Sequence, residues 1–125
     1  MNQRVMLLGA KTRFSPFIDI METTVHTKEE VIERLQRLAP ELRKMGVERL
    51  GLFGSFVRNQ PHKNSDVDIV VEFASGKKNF DNFMSLSFRL EEVLQRSVEV
   101  VTRESLSPHI GPHILEEAEY VSFAV

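Results

Sequence analysis

Cysteine is absent from the 125-residue sequence. The chain can therefore form no disulfide bond, provide no thiolate nucleophile and build no Cys-ligated zinc site. The glycine-rich nucleotide-binding loops GxxxxGK(S/T) and GxGxxG are missing as well. A strong positive charge is also lacking, because the formal net charge is −2. We therefore expect neither direct nucleic-acid binding nor attachment to an anionic membrane surface.

Long apolar runs are missing too. The longest one near the start, Val5 to Leu8, is too short for a signal peptide or a transmembrane helix. We therefore expect a cytoplasmic protein. The length and the hydrophobic fraction of 42% suit a single ordinary core. Residues 1–26 lack sustained helical or strand periodicity, so we expect an N-terminal extension there and one domain over residues 27–125.

Regular periodicity begins at Thr27 and predicts an α/β domain. Thr27 and Glu30 have the spacing of a capping box, and a helix follows that Pro40 should kink or split and Gly46 should end. The later predicted elements are strands over 49–53, 67–73 and 98–102, helices over 81–95 and 114–118, and a strand-like end over 120–125. This order predicts a small mixed sheet packed against helices.

Two aspartates, Asp66 and Asp68, interrupt the start of the second strand. Residues two apart on a strand point to the same face, so both carboxylates can approach one divalent cation. Ligand sets made only of oxygen suit Mg²⁺ or Mn²⁺. The alternative is a pair of surface aspartates on the solvated face of an edge strand.

Glu99 offers a third carboxylate within an apolar strand of valines. An isolated buried charge is costly, so Glu99 should be paired, protonated or metal-bound. If its strand lies beside the strand of Asp66 and Asp68, three carboxylates converge, and at least one pKa should be raised. A divalent cation would relieve that repulsion. A salt bridge to Lys or Arg, or an edge position facing water, would also explain Glu99.

Gly54 and Ser55 follow the buried run that ends at Phe53. Glycine allows a backbone to approach a ligand closely. If Ser55 begins a short helix, its hydroxyl and the following N–H groups would form an anion site. Taken alone, the dipeptide is more typical of an ordinary turn. Arg58 could reach a phosphate or support this loop through an ion pair.

Two further groups of side chains have open interpretations. Met84 and Phe88 lie away from the buried stripe of the helix over 81–95, so they should contact a second layer of this chain or a partner. His109 and His113 have the spacing of a helical metal pair. Gly111 and Pro112 between them argue against a continuous helix and therefore against zinc.

The motif Gly54-Ser55, ten intervening residues, then Asp66-Val67-Asp68 matches the GS-x10-DxD signature of nucleotidyltransferases related to DNA polymerase β. The stretch GVERLGLFGSFVRNQPHKNSDVDIVVEF, with VEVVTRESL downstream, resembles the minimal nucleotidyltransferase (MNT) family over residues 27–125. The resemblance implies the polymerase-β-type fold, ATP as a substrate and two Mg²⁺ ions, with Mn²⁺ as a substitute. By position, the implied catalytic and metal-binding residues are Asp66, Asp68 and Glu99, and the implied nucleotide-binding residues are Gly54, Ser55 and Arg58.

The family resemblance also implies a biological role. It predicts an antitoxin of a type VII toxin–antitoxin system that transfers AMP to a tyrosine of a HEPN-domain RNase toxin. The toxin would be a separate chain in a hetero-oligomer with this one. Two other functions stay open: an antitoxin that masks its toxin by stoichiometric binding, and transfer of AMP to a small molecule such as an aminoglycoside.

The sequence departs from the family pattern at two positions. The third acid of the family is usually aspartate, whereas Glu99 is one methylene longer. Relatives commonly have glycine after the arginine of the turn, where this chain has Asn59. Asparagine tolerates positive φ better than most residues, so we expect the turn to be preserved.

Overall fold

The structure is a computed structural model that describes residues 23–123. Most of the predicted extension, residues 1–22, lies outside the described residues, as do the last two positions. In chain order the helices and strands are α1 (Lys28–Arg37), α2 (Ala39–Lys44), β1 (Val47–Phe53), β2 (Val67–Phe73), α3 (Phe80–Leu94), β3 (Val98–Thr102), α4 (Gly111–Glu117) and β4 (Glu119–Tyr120). A short 3-10 turn, Arg103–Ser105, follows β3.

The four strands form one sheet in the order β3-β2-β1-β4. β1 pairs antiparallel with β2 and β4, whereas β2 pairs in parallel with β3. The predicted mixed sheet is therefore confirmed. Among the strands of the described residues, β2 lies inside the sheet with a neighbour on each side, and β3 lies at an edge.

The first helices follow from local sequence signals. The Glu30 N–H donates to Thr27 Oγ1 over 3.1 Å, and the Thr27 N–H donates to Glu30 Oε1 over 3.2 Å, so the capping box is present. Pro40 lies in the first turn of α2, where its missing N–H costs nothing. The predicted split at Pro40 is confirmed, and Gly46 follows the end of α2 with φ +87°.

The hydrophobic core lies between one face of the sheet and helices α1, α2 and α3. Alternate residues of β2 point into it, as the strand pattern predicted. Its fully buried members include Val31, Leu35, Leu42, Leu50, Leu52, Val67, Ile69, Val71, Leu86, Leu90 and Leu94. Burying one such side chain stabilises the fold by about 1.5–3 kcal/mol. Val25 is also fully buried, and its N–H donates to the Leu94 carbonyl over 3.1 Å. Core packing therefore begins before Thr27.

The C-terminal part differs from the predicted elements. We expected Gly111 and Pro112 to precede a helix near residue 114, but α4 begins at Gly111, because proline is favourable in the first helical turn. The predicted strand over 120–125 is reduced to Glu119–Tyr120 in the described residues. Within residues 23–123, no helix combines the length and apolarity needed to cross a bilayer.

Candidate active site

The predicted site residues meet at one end of the two central strands. Phe53, the last residue of β1, pairs with Asp68, the second residue of β2. The Gly54-Ser55 turn therefore begins beside Asp68. Asp66 lies one residue before β2 and is exposed. The antiparallel register of β1 and β2 thus brings together two motifs that are separate in the sequence.

Asp68 and Glu99 face each other across the parallel strands β2 and β3. Asp68 is half-buried, and burial is the main cause that raises its pKa to about 6. A hydrogen bond with Glu99 and the charges of Glu99 and Asp66 raise this pKa further, while the charge of Arg58 opposes the shift. The expectation that one carboxylate has a raised pKa is confirmed. Burial contributes more to the shift than the repulsion that we expected.

Glu99 itself is exposed. The expectation that it lies in a core strand is wrong, because β3 is an edge strand whose valines are only partly buried. The edge interpretation of Glu99 is the correct one. Because residues in register on parallel strands point to the same face, Glu99 nevertheless lies beside Asp68.

Gly54 is held in the left-handed region with φ +78°. A Cβ atom there would lie 2.1 Å from Asp68 Oδ2 and 2.9 Å from Asp68 Cγ. Both the conformation and the close approach of Asp68 therefore require glycine. This contact places the backbone of the turn directly against an aspartate of the DxD motif.

Ser55 begins a series of turns and not a helix. The Arg58 N–H donates to the Gly54 carbonyl over 3.3 Å, and the Gln60 N–H donates to the Ser55 carbonyl over 2.8 Å. An anion site that depends on a helix beginning at Ser55 is therefore ruled out. Phosphate binding would depend on N–H groups of the turns and on Arg58. Asn59 has φ +56°, as expected for a residue that replaces glycine in the turn.

Glu117, the last residue of α4, contacts the Gly54-Ser55 turn. Glu117 Oε1 accepts the Gly54 N–H over 3.1 Å, and Oε2 forms an ion pair with Arg58 Nη1. Although burial opposes the shift, these contacts hold the pKa of Glu117 below its usual range. The ion pair that we considered for Arg58 is present. Sequence reasoning missed Glu117, because its contact with the turn depends on the pairing of β4 with β1.

Arg96 fixes the loop that leads to Asp66. Its Nη1 group donates to the carbonyls of His62, Lys63 and Ser65 over 3.0–3.2 Å. Its Nε and Nη2 groups donate to the carbonyl of Val25, and its guanidinium lies 5.1 Å from the ring centre of a core phenylalanine, Phe56. No local pattern marks Arg96, since its partners come from three separate segments.

The acidic residues fit a divalent cation in their chemistry. Their donors are all carboxylate oxygens, and the mutual repulsion that contributes to the raised pKa of Asp68 is the kind that a cation relieves. Between residues 23 and 123, no three His, Cys, Asp or Glu side chains are already arranged as a metal site. The side chains of Asp66 and Glu99 are exposed and would have to close around an ion.

The structure also locates the remaining candidates. His113 belongs to α4 whereas His109 precedes it, so the two histidines do not share a helix, as expected. On α3, Met84 is partly buried, and the side chain of Phe88 is 65% exposed. Within the described part of the chain, no second layer covers Phe88.

The family model described as "Nucleotidyltransferase domain" matches residues 28–121. A Methanocaldococcus jannaschii protein is 43% identical to this chain over 83 residues, which is 66% of this chain and 88% of that protein. Its name, protein adenylyltransferase, is assigned by inference. The protein adenylyltransferase MntA of Thermococcus cleftensis is 38% identical over 96 residues, which is 76% of this chain and 96% of MntA.

Solved structures agree with the family match. A minimal nucleotidyltransferase superposes with a TM-score of 0.60 and 27% identity, over 70% of this chain and 93% of that one. A toxin–antitoxin complex with AMP-PNP shares the fold, with a TM-score of 0.57 and 22% identity, over 78% of this chain and 73% of that one. The strand pairing that joins the GS and DxD motifs and the matches in sequence and fold agree: this chain is a nucleotidyltransferase enzyme and belongs to the nucleotidyltransferase-domain family, among the minimal nucleotidyltransferases.

Proposed function

We propose that this protein is a cytoplasmic antitoxin that transfers AMP from ATP to a tyrosine of a HEPN-domain RNase toxin and so inactivates it. The observation that supports this proposal most directly is the pairing of Asp68 with Glu99 beside the Gly54-Ser55 turn. The names of the two relatives support protein adenylylation, and the toxin–antitoxin complex supports a partner of that kind. The proposal assigns the activity to the domain over residues 27–125.

The proposed reaction is a nucleotidyl transfer to a hydroxyl group. The tyrosine oxygen attacks the α-phosphorus of ATP, the bond from the α-phosphorus to the bridging oxygen of the β-phosphate breaks, and pyrophosphate leaves. Glu99, or a water beside it, takes the tyrosine proton. Two Mg²⁺ ions, when bound, neutralise charge on the phosphates. Asp66, Asp68 and Glu99 would hold them.

Nucleotide binding is assigned to the turn after β1. Gly54 allows the backbone to approach the phosphates, and Ser55 offers a hydroxyl and an N–H donor. Arg58 offers a guanidinium for the triphosphate. Its side chain is 52% exposed, so most of its surface is accessible to a ligand.

Mass spectrometry of the toxin tests the proposal. The toxin should gain about 329 Da per AMP group after incubation with this protein, ATP and Mg²⁺. The double variant Asp66→Ala/Asp68→Ala should abolish the gain. Asp81→Ala is the matched control, because Asp81 is exposed in the first turn of α3 and away from the site. An unmodified toxin, with the wild-type protein active as an inhibitor, would contradict the proposal.

Stoichiometric masking is the second candidate, and one observation favours it. Phe80 and Phe88 on α3 are 75% and 65% exposed, which offers apolar surface for a partner. Masking predicts full inhibition of the toxin without a change in its mass. It also predicts equal protection by the Asp66→Ala/Asp68→Ala variant, whereas catalysis predicts that this variant fails to protect.

A further inference from the structure

We propose that Glu117 is a positioning residue for ATP binding, which holds Arg58 and the Gly54 backbone in place beside the triphosphate. The inference rests on the proposed function for the identity of the nucleotide. Its structural basis is that the Glu117 carboxylate contacts both groups: Oε1 accepts the Gly54 N–H, and Oε2 forms an ion pair with Arg58. Neither contact is predicted by the GS and DxD motifs.

The contact with Arg58 leaves most of its donors for a ligand. A guanidinium has five N–H donors in a rigid planar fork, and Glu117 contacts it through Nη1. The charge of Arg58 also reaches Asp68, because it lowers the pKa that burial and Glu99 raise. Glu117 therefore holds the positively charged side chain of Arg58 near the DxD motif. The guanidinium donors that Glu117 does not contact stay accessible to a ligand.

The contact between Glu117 and Gly54 fixes the backbone of the turn beside Asp68. Gly54 packs so closely against Asp68 that a Cβ would lie 2.1 Å from its Oδ2 atom. A shift of the Gly54 backbone would therefore change the position of Asp68. By accepting the Gly54 N–H, Glu117 connects α4 to the Gly54 backbone, against which the side chain of Asp68 packs.

The position of Glu117 on α4 supports a specific role. A carboxylate at a helix C-terminus faces the negative end of the helix dipole, which is unfavourable. Regular elements hold it there: Gly51 pairs with Tyr120, and Leu52 pairs with Glu119, immediately after α4. Gly54 and Arg58 compensate the charge, so Glu117 is stabilised by the groups that it positions.

A double-mutant cycle with ATP binding tests this inference. Calorimetry with Mg²⁺ and ATP should show about tenfold weaker binding for Glu117→Ala, by analogy with the low end of the loss seen when residues that orient metal ligands are removed. Glu117→Gln should lose less, because its amide oxygen can still accept the Gly54 N–H. In an Arg58→Ala background, Glu117→Ala should weaken binding much less, since part of its effect passes through Arg58.

Glu116→Gln is the matched control. Glu116 is the exposed neighbour of Glu117 on α4, so the substitution removes the same charge without touching the turn, and ATP affinity should stay unchanged. Thermal unfolding of every variant checks that it folds. If Glu117→Ala destabilises the fold, Glu117→Gln decides the question.

Three results would overturn the inference. Unchanged ATP affinity in both Glu117 variants would show that the contacts are irrelevant to binding, and tighter ATP binding would show that the carboxylate competes with phosphate. Equal losses with and without Arg58 would indicate a merely structural role. Failure of the proposed function is distinct: the wild type would bind ATP and leave the toxin unmodified, and the affinity comparison would still stand. A wild type that binds no ATP would overturn both.

Discussion

Substitution of Gly54 by alanine separates backbone strain from the contact with Asp68. Gly54 and Gly76 both have φ +78°. A Cβ at Gly54 would collide with Asp68, whereas a Cβ at Gly76 would meet no atom within 4 Å. Gly76→Ala is therefore a matched control, because it has the same backbone conformation without the collision.

The magnitudes follow from these two observations. Alanine in the left-handed region costs about 1–2 kcal/mol, so both variants should lose about that much unfolding free energy. In Gly54→Ala, the added Cβ lies 2.1 Å from Asp68 Oδ2, well inside van der Waals contact, so the carboxylate must move by roughly 1 Å. A displacement of that size at a reacting centre can lower the rate about 100-fold.

Two measurements check the prediction. Chemical denaturation should show a loss of unfolding free energy in both variants, and the loss in Gly54→Ala should be at least as large as that in Gly76→Ala because of the collision with Asp68. The initial rate of AMP transfer to the toxin should fall about 100-fold in Gly54→Ala and stay near the wild-type rate in Gly76→Ala. Wild-type transfer by a folded Gly54→Ala protein would refute the argument that Asp68 depends on the missing Cβ.

Three other predictions concern the acids and the loop before them. In metal-free protein, the raised pKa of Asp68 contributes stability that is complete below its ordinary value of 3.8 and is lost as the pH rises through about 6. Asp68→Asn should therefore be more stable than the wild type above pH 6 in thermal unfolding, and similar profiles would contradict this. Glu99→Asp should retain or raise the rate of AMP transfer to the toxin, because it restores the usual third acid; complete loss would show that the site requires glutamate. Arg96→Gln should raise the Mg²⁺ concentration needed for transfer, because the carbonyls of residues 62, 63 and 65 lose their donor; an unchanged Mg²⁺ requirement would rule out a role of Arg96 in placing Asp66.

Local signals predicted much of the fold and part of the candidate site. The capping box of Thr27 and Glu30, the split at Pro40 and the strand over 98–102 depend on near neighbours in the chain, and all three are present. The GS and DxD motifs predicted the family by their spacing. Contacts between near neighbours in the chain were therefore sufficient to predict these three features.

Long-range contacts were not predictable in the same way. The contacts of Glu117 with Gly54 and Arg58 span 63 and 59 positions. Arg96 joins residues that are 31–34 and 71 positions away. Such contacts exist only once the strand order is known, and a single sequence does not show that order.

The environment of Glu99 illustrates the same limit. A run of valines predicts a buried strand, but whether the strand is interior or at an edge depends on which others pair with it. In the sheet formed by residues 23–123, β3 has one neighbour, β2. Sequence reasoning therefore identified the strand and its acid correctly and misjudged how exposed the acid is.

The order of the strands gives Asp68 and Glu99, which face each other, different surroundings. Asp68 belongs to a strand that is hydrogen-bonded to a neighbour on each side, whereas Glu99 belongs to a strand that pairs on one side only within residues 23–123. Val98 and Val100 of β3 pack against the core from this edge, whereas Glu99 between them points to solvent. The longer side chain of Glu99 thus extends into open space, and exchange between glutamate and aspartate at this position changes no packed contact of the strand that carries Asp68.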